Sequence, residues 1–310
     1  MRKTILYLVL IILVASVFPA TAAGPFPVKF PATPTGVDPG ATTVVGSLQR
    51  HTIKKGEDLL GIARQYDLGY NAIGAMHRDW DPFILPAGTE IVIPSMWISP
   101  DPHGHQIIVN TGAMRLFYFV NNGTQVYTFP IGMGVLDYKT PTGNFTVNQK
   151  KVNPDWHIPK ELQAKYKMSV MPAGPDNPMG EYKLGLSWGD YGIHGCNIPW
   201  AVGRLVSHGC TRLYPEDIRK LFAMVPVGTS VEYIYEPSLV GFRNGRVYLS
   251  VHEDYYFKIR SMIFHVLGLL ESRGLTSRVN MEKVMQTVEE HTGMPIDITR
   301  GQASGLMSQR

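Results

Sequence analysis

The stretch IHGCNIPWAVGRLVSHGC, residues 193–210, carries His-Gly-Cys twice, as His194-Gly195-Cys196 and as His208-Gly209-Cys210, and it holds both cysteines of the 310-residue chain. Histidine and cysteine at this density support three chemistries. Two H-x-C pairs separated by eleven residues offer four ligands, the number a structural zinc ion takes, although paired zinc ligands usually stand at least two residues apart so that the chain can curl round the ion. A Cys196–Cys210 disulfide would close a short loop in an oxidising compartment but would consume both thiols. The third chemistry is nucleophilic: a thiolate at neutral pH needs a base or a positive charge nearby, and histidine exchanges protons in that range.

Ser207-His208-Gly209-Cys210-Thr211-Arg212 suits the nucleophilic case best. Gly209 allows a tight turn, the backbone amides before the cysteine can point at a developing oxyanion, and Arg212 returns a positive charge to the same side. The base would then come from a neighbouring strand, and His194 lies sixteen residues upstream.

These residues have to be positioned by a fold, and the rest of the chain indicates which. Met1-Arg2-Lys3, an apolar run from Ile5 to Phe18 and the small residues after Pro19 have the layout of a secretory signal, expected over residues 1–22 and cleaved after Ala22. Removing it takes away Arg2 and Lys3 and leaves a weak positive charge scattered among acids, so no nucleic-acid partner is expected. Two cysteines are too few for a disulfide scaffold. With 44% apolar residues the mature chain can bury one medium domain and something smaller.

Residues 23–48, rich in Pro, Gly, Thr and Ala, are expected to form an extended linker. Over 49–97 the pattern predicts a short strand at His51, a helix capped by Asp58 with Leu59, Leu60, Ile62, Ala63 and Tyr66 in one stripe, a second helix from about Tyr70 to His77, and a strand over Thr89 to Ile93. From His105 the pattern is of strands: Gln106 to Val109, Arg115 to Val120 and Gln125 to Ile131, the last two joined at Asn121-Asn122-Gly123, then Asn144 to Asn148 after the turn Thr140-Pro141-Thr142-Gly143. A mainly β, antiparallel sandwich is expected over 103–237, with a loop-rich insertion at about 150–185 and its last strands near Ser230 to Ile234. Helical spacing at Tyr255 to Leu270 and at Met281 to Val288 makes 238–310 a helical appendage with no chemistry of its own.

Two resemblances sit on these residues. H-T-I-K-K-G-E-D-L, I-A-R-Q-Y and L-P-A-G-T-E-I-V-I-P resemble a LysM module, which implies a βααβ unit binding N-acetylglucosamine-containing glycan strands; Asp81-Pro82 stands where that family has asparagine-proline. G-I-H-G-C-N-I-P-W-A-V-G-R-L-V-S-H-G-C-T-R-L resembles the signature of the L,D-transpeptidases with a YkuD-type catalytic domain, and T-P-T-G at 140–143 and N-P-M-G-E-Y-K-L-G-L at 177–186 echo their other motifs. That second resemblance covers residues 105–236. It implies Cys210 as nucleophile and His194 as general base. Ser207, Gly195 and Gly209 would shape the site, with the Gly209 and Cys210 amides at an oxyanion hole. His208 is either a hydrogen-bonding brace or a direct participant, and Arg212 holds the turn or meets a substrate carboxylate. Cys196 stands where relatives have a small polar residue such as threonine, so it is either passive filling or a redox partner for Cys210.

The implied reaction is acyl transfer on peptidoglycan stem peptides in the periplasm or wall, with D-Ala leaving from a tetrapeptide and no metal or organic cofactor. A stem amine as acceptor gives a 3→3 cross-link, water gives L,D-carboxypeptidase activity, and the amine of a lipoprotein attaches that protein to the wall. A wall-binding protein without activity and a cysteine peptidase acting on proteins are the readings from other classes.

Overall fold

The computed structural model describes residues 24–301; the expected signal segment lies outside the described residues. Nine strands form the main sheet, in the spatial order Phe26–Pro27, Gln125–Pro130, Arg115–Val120, Ile107–Asn110, Ser230–Ile234, Gly143–Val152, Tyr182–Leu186, Gly192–His194 and Thr211–Arg212. Most neighbours are antiparallel, as the hairpin signals predict. Two pairings are parallel instead: Ser230–Ile234 against Ile107–Asn110, and Thr211–Arg212 against Gly192–His194. The second of these carries the chemistry described below.

Period-two alternation buries both faces of the sheet. Ile107, Val109, Leu116 and Tyr118 point into one core, which the helix Pro215–Met224 closes with Ile218 and Leu221. Burying one such aliphatic side chain contributes roughly 1.5–3 kcal/mol. Ile108, Phe117, Phe119 and Val126 point the other way, into a second core completed by Ile53, Leu59, Ile62, Ile73, Ile91 and Ile93. Those six belong to the small N-terminal βααβ unit, in which strand Gln49–Thr52 pairs with Glu90–Ile93 and the helices Leu59–Gln65 and Tyr70–Met76 lie between them in sequence. Asp58 caps the first helix as expected, accepting from the Gly61 amide at 2.7 Å.

The linker expected over 23–48 is not a tether. Phe26–Pro27 adds an edge strand beside Gln125–Val126, Val44–Gly46 pairs with Met96–Ile98, and Val28 and Val45 are buried in the second core. Its aromatic side chains account for this: Phe30 meets Phe119 and Phe26 meets Trp97, at centroid distances of 6.1 and 6.2 Å. Pro and Gly content signals irregular backbone, and here that backbone is packed. Two arginines tie the N-terminal unit to the main sheet. Buried Arg115 lies 3.7 Å from the Trp97 ring centroid and donates to the Asp67 carbonyl, while Arg64 makes a bidentate pair with Glu216 at 2.7 and 2.8 Å.

The C-terminal region contains the two expected helices, Met262–Ser272 and Met281–Glu290. A hairpin precedes them, Ser238–Arg243 with Arg246–Val251, and Ile296–Asp297 joins it as a third strand. The region also packs on the main domain through the segment that joins the hairpin to the first helix. The hydroxyl of buried Tyr256 donates to the Gly134 carbonyl at 2.8 Å and accepts from the Thr140 amide at 3.0 Å. This braces the loop 134–140 from behind.

Candidate active site

The parallel strand pair brings the two ends of the double His-Gly-Cys together. In register, Ile193 faces Thr211 and His194 faces Arg212, so Cys210 enters the sheet beside the strand that ends in His194. His194 and Cys210 both line one cavity of 360 Å³, together with Ser207, His208, Arg212 and Tyr191.

The turn holding Cys210 is built from its own residues. The Ser207 hydroxyl donates to the Cys210 carbonyl at 2.6 Å, and the Gly209 amide donates to Ser207 Oγ at 3.2 Å. Gly209 has φ of +104°, and a β-carbon there would come within 2.4 Å of the Tyr191 ring. Only glycine fits that backbone and that space. The Ser207 hydroxyl thus braces the turn, and the Gly209 amide, which the resemblance puts at an oxyanion hole, is committed to Ser207. The His208 ring packs on Tyr138 at a centroid distance of 4.3 Å and lines the same cavity.

His194 is buried. Its Nδ1 lies 2.7 Å from the Gly195 carbonyl oxygen, which can only accept, so in the neutral ring Nδ1 carries the proton and Nε2 is the basic nitrogen; a backbone hydrogen bond with Met179 also acts on the ring. Burial, reinforced by the Arg212 guanidinium, pushes its pKa down to about 3, so the imidazole is neutral at rest. Gly195 packs against the core side of the sheet, where a β-carbon would approach Ile218 at 3.1 Å.

Burial pushes the Cys210 thiol above its ordinary pKa; the Lys183 ammonium, the Gly192 amide and Arg212 act in the opposite direction. Arg212 also lines the cavity, and its Nε is buried without a hydrogen-bond partner. A guanidinium held in that state suits an incoming carboxylate.

Cys196 faces elsewhere. Its thiol donates to the Leu213 carbonyl at 3.2 Å and packs with Val202 and Tyr214, and burial pushes its pKa up to about 11. Both cysteines are free thiols. The four-ligand reading also fails on geometry, because His208 stacks on Tyr138 while Cys196 bonds Leu213; no group of three or more metal-ligating side chains forms among the described residues.

The insertion expected at 150–185 roofs the cavity with the strand Trp156–His157 and with Glu161 at the start of the helix Lys160–Tyr166, and Val170–Met171 pairs with that strand. Asn177 staples it. Its amide nitrogen reaches the carbonyls of Pro154, Met171 and Pro172 at 3.1–3.2 Å, and its Oδ1 accepts from the Met179 amide at 2.8 Å. Asn177→Ala frees this roof and misplaces what it covers, and the expected loss in kcat/KM is about ten- to a hundredfold. Steady-state assay beside a melting curve checks this; unchanged kcat/KM would show that the roof does not position substrate.

Sequence reasoning missed Tyr191, Asp190 and Asn177. Tyr191 and Asp190 lie in the tight turn after Leu186, and their roles follow from packing against Gly209 and Cys210 that no local pattern shows. Asn177 stands within the motif-like stretch 177–186, where an asparagine between Asp176 and Pro178 reads only as a turn residue.

A family model described as the L,D-transpeptidase catalytic domain, YkuD, matches residues 104–232. The chain is 32% identical over 303 residues to the probable L,D-transpeptidase YcfS of Escherichia coli K12, covering 93% of this chain and 94% of that protein. The chain belongs to the L,D-transpeptidase family. It is also 34% identical to the probable L,D-transpeptidase YbiS of the same strain, over 82% of this chain and 88% of that one. The putative L,D-transpeptidase YkuD of Bacillus subtilis matches at 33%, over 58% of this chain and 96% of its own length. Membership makes this L,D-transpeptidase a cysteine acyltransferase.

Proposed function

We propose that this transpeptidase acts on peptidoglycan tetrapeptide stems, with Cys210 as the nucleophile and His194 as its base. The observation that carries the reading is the shared cavity: a neutral imidazole with Nε2 unprotonated and a half-buried thiol line one space, beside a guanidinium whose Nε has no partner.

The chemistry follows from those groups. Nε2 of His194 takes the thiol proton, and the sulfur attacks the carbonyl before the terminal D-Ala. The charge that develops on oxygen meets the Cys210 amide at the tight turn. The leaving amine takes its proton from His194, and a thioester remains. Arg212 holds a stem carboxylate, as a charge-assisted fork does. The amine of a second stem enters under the roof, loses a proton to His194 and resolves the thioester as a 3→3 cross-link.

The N-terminal βααβ unit is assigned to glycan strands. Its first helix and the segment after Cys196 border a second groove of 490 Å³, where Phe83 and Trp200 are 67% and 61% exposed and Arg64 and Arg204 stand beside them. Flat aromatic faces with planar donors suit sugar rings, and tethering to the glycan raises the local concentration of stems. We place the protein outside the cytoplasm, in the periplasm and against the wall. The acceptor is a stem amine in this reading, and a lipoprotein amine is the variant that would attach a protein.

Product analysis with a purified disaccharide-tetrapeptide as sole donor and acceptor tests the assignment. A cross-linked dimer carrying a 3→3 bond is the expected product. Tripeptide alone would make water the acceptor and the enzyme an L,D-carboxypeptidase.

A further inference from the structure

Lys183 lies outside the double His-Gly-Cys, within the stretch 177–186, and its ammonium reaches the turn at Asp190. It faces His194 across the antiparallel pair Tyr182–Leu186 and Gly192–His194, and His194 in turn faces Arg212. Residues in register on neighbouring strands project to one face, so an ammonium, an imidazole and a guanidinium stand in a row.

The Lys183 stem crosses over Gly192. A β-carbon at 192 would come within 2.8 Å of Lys183 Cε and 3.4 Å of Cγ, so the glycine makes room for the lysine. Nζ then donates to the Asp190 carbonyl at 3.1 Å, and Cys210 Sγ rests 3.9 Å from that same oxygen. Ammonium and thiol are thus anchored on one backbone carbonyl. Fixing a half-buried lysine in a single path costs side-chain entropy, which calls for a compensating interaction at its end.

Two resident positive charges act on the sulfur: Arg212, two residues along the chain from Cys210, and Lys183, whose effect is the larger of the two. His194 is neutral at rest, and the Asp190 carboxylate works against an anion. The other titratable groups facing the cavity are His208, Tyr191 and Tyr138 on the neighbouring turns and Lys151, Asp155, His157 and Glu161 from the insertion, with Tyr233 behind, its hydroxyl 3.0 Å from Thr211 Oγ1.

We propose that Lys183 is the resident counter-charge of Cys210, holding the sulfur as thiolate once His194 has taken its proton. The S–H bond breaks, the proton moves to Nε2 of His194, the electron pair stays on sulfur, and the ammonium offsets the new charge. No further reactant is required. The role is electrostatic and rests on Cys210 as the acting nucleophile.

Alkylation of the folded, full-length protein by iodoacetamide reads thiolate directly, without any peptidoglycan substrate, so its outcome is independent of the acyl-transfer assignment. The modified residue is located by peptide mapping, and the rate is followed from pH 5 to 10. Lys183→Met is expected to slow Cys210 alkylation about tenfold at pH 7 and to move the midpoint up by about one pH unit. Lys183→Arg, which keeps the charge, is expected to restore most of the wild-type profile. Lys183→Gln poses the same question should the methionine variant fail to fold. Superimposable profiles for wild type and the neutral variants would overturn the proposal, including the case in which only KM for the donor stem rises, since that would assign Lys183 to substrate binding. An arginine variant shifted as far as the neutral ones would overturn it too, by showing that shape rather than charge is read.

Discussion

Cys210→Ala folds and releases no detectable D-Ala from a tetrapeptide stem, a loss of at least about 10⁴-fold, because no other group in the cavity can form the thioester. Ser207 cannot take over, since its hydroxyl is spent on the Cys210 carbonyl. Cys196→Ala keeps most of the activity. Its thiol is bonded to Leu213 and packed against Val202 and Tyr214, so the truncation costs about 1 kcal/mol of stability and leaves the chemistry in place. Thiol-dependent D-Ala release measured on the two variants side by side checks the pair; activity retained without Cys210, or lost without Cys196, would reverse the assignment of the two copies.

His194→Gln is expected to lower kcat/KM by about 10²- to 10⁴-fold, the range that general base catalysis supplies. The same residue should leave a mark on stability. Its folded pKa, about 3, lies below the ordinary 6.5. Above 6.5 neither state holds the proton and the neutral imidazole costs nothing extra. As pH falls from 6.5 toward 3 the unfolded chain binds a proton that the folded chain refuses, so stability is lost over that window at about 1.4 kcal/mol per pH unit. Urea unfolding at pH 6.5 and pH 5 should therefore show wild type losing about 2 kcal/mol more than His194→Gln. Parallel losses would mean that burial does not depress the imidazole's pKa and that it is not held neutral at rest.

Much of this was legible in the sequence because the signals were local. Asp58 as a cap, the Asn121-Asn122-Gly123 turn and the strand Arg115 to Val120 are written within a few residues of where they act, and the structure has them. Cys210 and His194 were singled out through a dense motif, and the two line one cavity. What escaped depends on distant partners. Residues 26–46 read as a linker because their Pro and Gly suppress any period, yet Phe26 and Phe30 find Trp97 and Phe119 across the fold. The hairpin Ser238–Arg243 with Arg246–Val251 was hidden behind the stronger helical spacing that follows it. The commitment of the Gly209 amide to Ser207, and the Lys183 path over Gly192, are set by turn geometry and by a neighbouring strand, which residue spacing does not encode.

The central claim is that the first His-Gly-Cys contributes its histidine and the second its cysteine to one acyl-transfer site. Its most direct test is intact-mass analysis of the wild-type protein quenched in acid during turnover of a disaccharide-tetrapeptide, followed by mapping of the modified peptide. The account predicts a single adduct of donor minus D-Ala, on Cys210, formed in step with D-Ala release. D-Ala released with no adduct in the wild type, or an adduct on Cys196 or Ser207, would contradict it.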